Sequence, residues 1–281
     1  MTLKIVVDST CDMPAPWFEQ YGVAVVPFNI QFGTDTYREG VDITPQEFYR
    51  RIQAEQALPT TSQPSVGDYL ETYRRLSQDG SEILSLHLSG KLSGSWQSAH
   101  LAATQLSRPV GVYVIDSQTG SVGQGLMVRE AAQRAQAGEP VPEIVRHLET
   151  RRSELRVFIL LKDLRYARMS GRVGVIKETL ASLLNVKPIL GVENGNLVPL
   201  DRVRGYRKGL ERMVALAEQA VGDRAVHIGM THALARAEAE DLLARLQTRL
   251  NCRDSFIVDM SISMAVHFGP GTVGFAAYPA E

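Results

Sequence analysis

The sequence is poor in cysteine: Cys11 and Cys252 are its only two, far apart in 281 residues. They form neither a disulfide framework nor a C-x-x-C zinc pattern. No apolar run reaches the roughly 18 residues that would cross a bilayer. Charge of one sign is not in surplus either. Lysine plus arginine number 30 and aspartate plus glutamate 31, for a net charge of −1. A nucleic-acid binder draws on an excess of basic side chains, so that class is excluded. Aromatics make up only 7%, yet 44% of residues are hydrophobic and 22% charged, a globular balance that excludes a disordered chain. The first eight residues, ending in Asp8, read as a β-strand and lack the features of a signal peptide. These absences predict a soluble, cytoplasmic protein.

What is present alternates. Strands are expected at Leu3–Val7, at Val23–Pro27 continued by Phe28–Phe32, at Ile83–Leu88 and at Val110–Ile115. Between them lie helices over Pro45–Gln56, from a Ser65 cap to about Leu76, over Ser95–Leu106 and over Gly123–Ala137. Thr44 can cap the first of these, with Pro45 at its first position. Such alternation with apolar strands predicts a three-layer α/β/α domain on a mainly parallel sheet. The pattern changes near Arg152. Lys187–Val192 and Leu197–Pro199 flank Asn194-Gly195, a strong hairpin signal. Strands at Val157–Leu161, Val226–Met230, Phe256–Met260 and Val273–Ala277 join helices over Gly174–Leu184, Tyr206–Val221 and Leu234–Leu250. The expected organisation is two domains, residues 1–152 and 153–281, the second an α/β domain with a mixed sheet.

In open α/β sheets ligands bind beyond the carboxyl ends of strands. Those ends are rich in hydroxyls: Asp8-Ser9-Thr10, Ser89-Gly90-Lys91-Leu92-Ser93-Gly94-Ser95 and Asp116-Ser117. The loop before the Ser65 helix adds Thr60, Thr61 and Ser62. Hydroxyls and amides near helix starts suit a phosphate or carboxylate, and glycines let backbone approach it. The same residue types also serve as caps and turn formers. Gly120-Ser121-Val122-Gly123-Gln124-Gly125 lacks the order of a dinucleotide fingerprint, and there is no Walker loop or G-x-S-x-G elbow. No histidine pair has metal-ligand spacing. His267 precedes Phe268-Gly269-Pro270-Gly271, whose glycines and proline impose an irregular turn; held there, it can donate to a carboxylate, act as a base, or be purely structural. Arg165, Arg168 and Arg172, and the basic run from Arg202 through Arg204 to Lys208, could meet an anion or an acidic protein, or form solvated faces.

Several segments in order resemble one family. They are Asp8-Ser9-Thr10-Cys11-Asp12, Thr61-Ser62-Gln63-Pro64-Ser65, Leu92-Ser93-Gly94-Ser95-Trp96-Gln97-Ser98-Ala99, Ser170-Gly171-Arg172, Val186-Lys187-Pro188-Ile189-Leu190 and His267-Phe268-Gly269-Pro270-Gly271. Together they resemble the DegV family, bacterial fatty-acid-binding proteins that include the binding subunits of fatty acid kinase. Ser95, Trp96 and Ser170 stand where the family usually has Thr, Tyr and Gly. The resemblance implies a long-chain fatty acid such as palmitate or oleate between two α/β domains, with no cofactor and no metal. Its carboxylate would meet Thr61 and Ser93 with His267 close by, and Ser62, Gly94 and Ser95 adjacent. Arg172, and less directly Arg204, would face a fatty acid kinase catalytic subunit. The chain would present the substrate without catalysing its phosphorylation.

Two other readings compete. Ser93 as nucleophile and His267 as base would make an acyl hydrolase or transferase. The hydroxyl loops as an anion nest would make a phosphate or nucleotide binder.

Overall fold

The computed structural model describes residues 3–55, 58–106, 111–172 and 186–280. The chain opens with strand β1 (Leu3–Asp8), helix α1 (Ala15–Gln20) and strand β2 (Val23–Val26). Strands β3 (Asn29–Phe32) and β4 (Asp35–Arg38), helix α2 (Pro45–Glu55), strand β5 (Thr60–Ser62) and helix α3 (Val66–Leu76) follow. Next come β6 (Glu82–His87), α4 (Ser95–Thr104), β7 (Val112–Asp116), α5 (Ser121–Gln136) and α6 (Val141–Arg151).

Strands β2-β1-β6-β7 form an all-parallel sheet. Helices α3 and α4 pack on one face and α5 and α6 on the other. With both faces covered, β1 buries Ile5, Val6 and Val7 in succession, which is why its sequence shows no polar alternation. Helix α3 starts where Ser65 and Asp68 cap each other: Ser65 Oγ accepts from the Asp68 N–H at 3.2 Å, and the Asp68 carboxylate accepts from the Ser65 N–H at 2.7 Å.

The stretch read as one strand from Val23 to Phe32 breaks at Pro27. Pro27 has no N–H to donate to a ladder. The chain leaves the parallel sheet, and β3 instead centres a small antiparallel sheet, β4-β3-β5. Thr60–Ser62, expected as loop, is therefore an edge strand.

The remainder builds the second large sheet. Its elements are β8 (Arg156–Leu160), α7 (Leu164–Ser170), β9 (Val186–Glu193), β10 (Asn196–Arg204), α8 (Tyr206–Val221), β11 (Val226–His232), α9 (Arg236–Arg249), β12 (Cys252–Asp259), α10 (Ile262–Phe268) and β13 (Val273–Pro279). The six strands run in the order β10-β9-β8-β13-β11-β12. Only β11 and β12 are parallel, so the sheet is mixed as expected. The β9–β10 hairpin turns at Asn194-Gly195, both with positive φ, as that dipeptide dictates. The helix expected over 174–184 lies outside the described residues.

Helices α8 and α9 cover one face of this sheet, while α5 lies against β11 and β13 as well as β1 and β6. Eleven of the sixteen residues of α5 are buried. A helix enclosed between two sheets over most of its length has little solvent face, so its sequence shows no clear amphipathic stripe. Among the described residues, no helix is long and apolar enough to cross a membrane. Both cysteines are free.

Candidate functional site

Three hydroxyl-bearing segments and one helix end converge on one cavity. The first is β5, which carries Thr61 and is followed directly by Gln63. The second is the Leu88–Gly94 loop between β6 and α4, which carries Ser93. They touch: a Cβ at Gly94 would lie 2.7 Å from Gln63 Nε2. The third is Thr10, just past β1. The helix is α10, with His267 in its last turn.

Helix α10 belongs to the C-terminal half of the chain, yet carboxylates from the N-terminal half hold its start. Asp12 Oδ1 accepts from the Ser261 N–H at 3.0 Å, and Glu39 Oε1 from the Ser263 N–H at 3.0 Å. Burial pushes Asp12 up to about 7, against hydrogen bonds from Ser121 and Ser261. Burial likewise raises Glu39, against hydrogen bonds from Ser9 and Ser263. At its other end α10 stops at Gly269, φ +79°, whose N–H donates to Ala265 O at 2.8 Å. A Cβ there would collide with the Tyr166 ring, so both backbone and space require glycine.

Thr61 Oγ1 lies 3.0 Å from His267 Nε2. His267 Nδ1 is buried with no hydrogen-bond partner among the described residues. Burial, and then the Arg172 guanidinium, hold the imidazole down to about 4, so it is neutral near pH 7. If Nε2–H donates to Thr61 Oγ1, the Thr61 hydroxyl is left to donate to a ligand.

These groups line a cavity. Its polar wall is Thr10, Thr61, Gln63, Ser93, Arg172, Ser263 and His267; its apolar wall includes Phe28, Leu88, Leu92, Leu197, Met264 and Phe268. A second cavity shares the last five of these and extends to Val157, Ile159, Val192 and Phe275. The two together form an apolar space with hydroxyls and a neutral imidazole at one end.

Of the candidate residues, Thr61, Ser93, His267 and Arg172 share the first cavity. Arg172 is exposed on its own account yet contributes to the wall. Ser62, Gly94, Ser95 and Arg204 are not in that wall. Ser95 points the other way, fully buried, with its hydroxyl 2.6 Å from Asp8 Oδ2. Arg204 ends β10, exposed. Trp96 stacks on His100, and Ser170 Oγ donates to Ala167 O. Thr10 belongs to the hydroxyl-rich strand ends read from the sequence; Gln63 and Ser263 were not candidates. The two-residue step from Thr61 would have found Gln63 had the chain there been read as extended. Ser263 carries no such signal.

The hydrolase geometry is not assembled among the described residues. His267 Nε2 pairs with Thr61, no hydrogen bond joins it to Ser93, and no carboxylate meets its Nδ1. No group of three or more His, Cys, Asp or Glu among the described residues could hold a metal ion.

The fold and cavity define an α/β protein of two large sheets and one small one, built around an internal apolar space with one polar end. The family model described as "Uncharacterised protein, DegV family" matches residues 2–280, and the chain belongs to that family. A DegV domain-containing protein of Halalkalibacterium halodurans is 34% identical over 98% of both chains. The solved structure of a DegV family protein from Thermus thermophilus, described for its fatty acid binding, superposes with a TM-score of 0.93 at 32% identity, covering 100% of each chain. A DegV family protein from Ruminococcus gnavus, solved with vaccenic acid, superposes at 0.89 with 27% identity, over 98% of this chain and 99% of that one.

Proposed function

We propose that this chain binds a long-chain fatty acid, palmitate or oleate in length, with its carboxylate toward Thr61, Ser93 and His267. The observation that carries the reading is the pairing of Thr61 with His267 at the polar end of an otherwise apolar cavity. The tail follows Leu88, Leu92, Leu197, Met264 and Phe268 into the second cavity. Each buried CH₂ contributes about 0.8 kcal/mol. The tail therefore dominates affinity, and the polar end sets orientation. Hydroxyl donors meet the carboxylate without a fully buried cation, and the exposed Arg172 adds positive charge at the rim. The family's solved members with bound fatty acid support this reading.

The carboxylate end lies beside the exposed Arg172. We infer that the chain presents the carboxylate there to a separate fatty acid kinase subunit, which transfers the phosphoryl group of ATP to a carboxylate oxygen and releases ADP. The cytoplasm, where ATP is available, is the compartment this role requires. The organisation that serves it is two domains meeting near Arg152, with the acyl chain between them. The absence of a Walker loop and of a hydrogen bond between Ser93 and His267 favours a carrier over an enzyme.

Organic extraction of the purified protein followed by mass spectrometry tests the first step. A stoichiometric fatty acid is expected; no lipid, together with no uptake of added palmitate, would overturn the reading. Adding a bacterial fatty acid kinase catalytic subunit and ATP tests the second. Acyl phosphate trapped as hydroxamate is expected only when both chains are present.

A further inference from the structure

We propose that Asp8 and Ser95 are positioning residues for the Ser93 hydroxyl, one buried carboxylate holding both ends of the loop that carries it. The inference rests on the fatty-acid reading of the cavity and goes further, to what aims its donor.

The loop leaves β6 at Leu88 and enters α4 at Ser95. Asp8 Oδ2 accepts from the Leu88 N–H at 3.0 Å and from the Ser95 O–H at 2.6 Å. One oxygen atom thus pins the loop's entry and its exit. Within the loop, the N–H groups of Leu92 and Ser93 donate to Ser89 O at 2.9 and 3.1 Å. The Ser95 N–H donates to Ser93 Oγ at 3.2 Å. Ser93 Oγ is therefore engaged as an acceptor on the protein side, and its own O–H is left to donate into the cavity. Ser95 is the hinge of this arrangement: its backbone orients Ser93, and its side chain is anchored to Asp8.

The anchor is built to stay ionised. Asp8 and Ser95 are fully buried, and neither lines the cavity. Asp8 Oδ1 accepts from the Thr10 hydroxyl and N–H. Burial opposes the charge, but the His87 ring, 3.3 Å from Oδ2, and the hydroxyls of Ser95 and Thr10 together hold the carboxyl below its ordinary range. Both oxygens face donors, so an amide in place of the carboxylate would turn its NH₂ onto one of them. Ser95 donates to Asp8 and so accepts from the Tyr69 hydroxyl at 2.7 Å. Tyr69 lies on α3, which begins a few residues after Thr61, so the same network braces both hydroxyl segments.

The test compares palmitate with 1-hexadecanol, which shares the tail but not the charge, by displacement of a fluorescent fatty acid. Ser95→Ala is expected to lower the ratio of palmitate to hexadecanol affinity about tenfold, the scale of one hydrogen bond to a charged group. Ser95→Thr, which restores the hydroxyl, is expected to recover the wild-type ratio. Asp8→Asn is expected to match Ser95→Ala; should it not fold, the two Ser95 variants carry the test. In a Ser93→Ala background Ser95→Ala is expected to lower the ratio no further, because both act on one donor. Equal weakening of both ligands by Ser95→Ala, or a further loss in the Ser93→Ala background, would overturn the positioning role alone. A wild-type protein that binds neither ligand would instead overturn the fatty-acid reading on which it rests.

Discussion

Thr61 Oγ1 and His267 Nε2 meet at 3.0 Å across 206 positions of sequence. Strand β5 supplies one and the last turn of α10 the other. Asp12 and Glu39 hold the start of α10 against the N-terminal half, and α10 packs on β3 and β5 there. Removing the hydroxyl of Thr61, or that of Ser93 in the same cavity wall, should therefore weaken a ligand's grip at its head without touching its tail. Thr61→Ala and Ser93→Ala are each expected to lower palmitate affinity about tenfold, the scale of one hydrogen bond to a charged group. Titration calorimetry checks this; unchanged affinity in both variants would place the carboxylate elsewhere.

His267 and Asp12 make opposite contributions to stability against pH. His267 is held down to about 4, below its ordinary 6.5. Its neutral form is the folded form, so its contribution is complete above 6.5 and is lost as pH falls through 4. His267→Gln should remove that part of the acid loss. Asp12 is raised to about 7 from 3.8. Its protonated form is favoured by folding, so its contribution is complete below 3.8 and is lost as pH rises through 7. Asp12→Asn should flatten that decline. Urea unfolding of the ligand-free protein at intervals from pH 4 to 8, each variant subtracted from wild type, separates the two. Same-sign slopes for both variants would contradict the assignment.

Gly120 gives a handle on the tail. A Cβ there would collide with Leu88 Cδ1, the end of a flexible side chain that lines both cavities. Gly120→Ala should fold, push Leu88 into the apolar space, and favour shorter chains. The affinity ratio of palmitate to dodecanoate is expected to fall; four methylenes carry up to about 3 kcal/mol of that preference. An unchanged ratio would show that the tail does not pass Leu88.

The reciprocal cap of α3 is a purely structural prediction. Ser65→Ala removes the acceptor for the Asp68 N–H and should destabilise the protein by about 1 kcal/mol. Chemical denaturation reads this directly. A loss within error would mean that water replaces the cap at no cost.

Much of the framework was legible because it is local. The Ser65 cap, the Asn194-Gly195 turn and the apolar runs of β1 and β6 each declare themselves within a few residues, where periodicity and turn chemistry act. Two elements of the site were not legible. Strand β5 is three residues long, too short to show alternation, and is a strand only because β3 lies beside it. Helix α10 is seven residues long and almost wholly buried, so its sequence lacks the polar face that marks a helix. Its caps are Asp12 and Glu39, more than two hundred positions away.

By itself, then, the sequence determined most of the longer elements and the parallel and mixed sheets, and its family resemblance nominated Thr61, Ser93 and His267 to meet a carboxylate. Tertiary structure decided their company. It aligned Thr61 with His267 and brought Arg172 into the cavity wall. It turned Ser95 away from the cavity toward Asp8, and left Arg204 outside. The physical reason is range. Helix, strand and turn preferences are set by neighbours in sequence. A cavity and its hydrogen bonds are set by which buried faces pack together, and here those faces come from opposite ends of the chain.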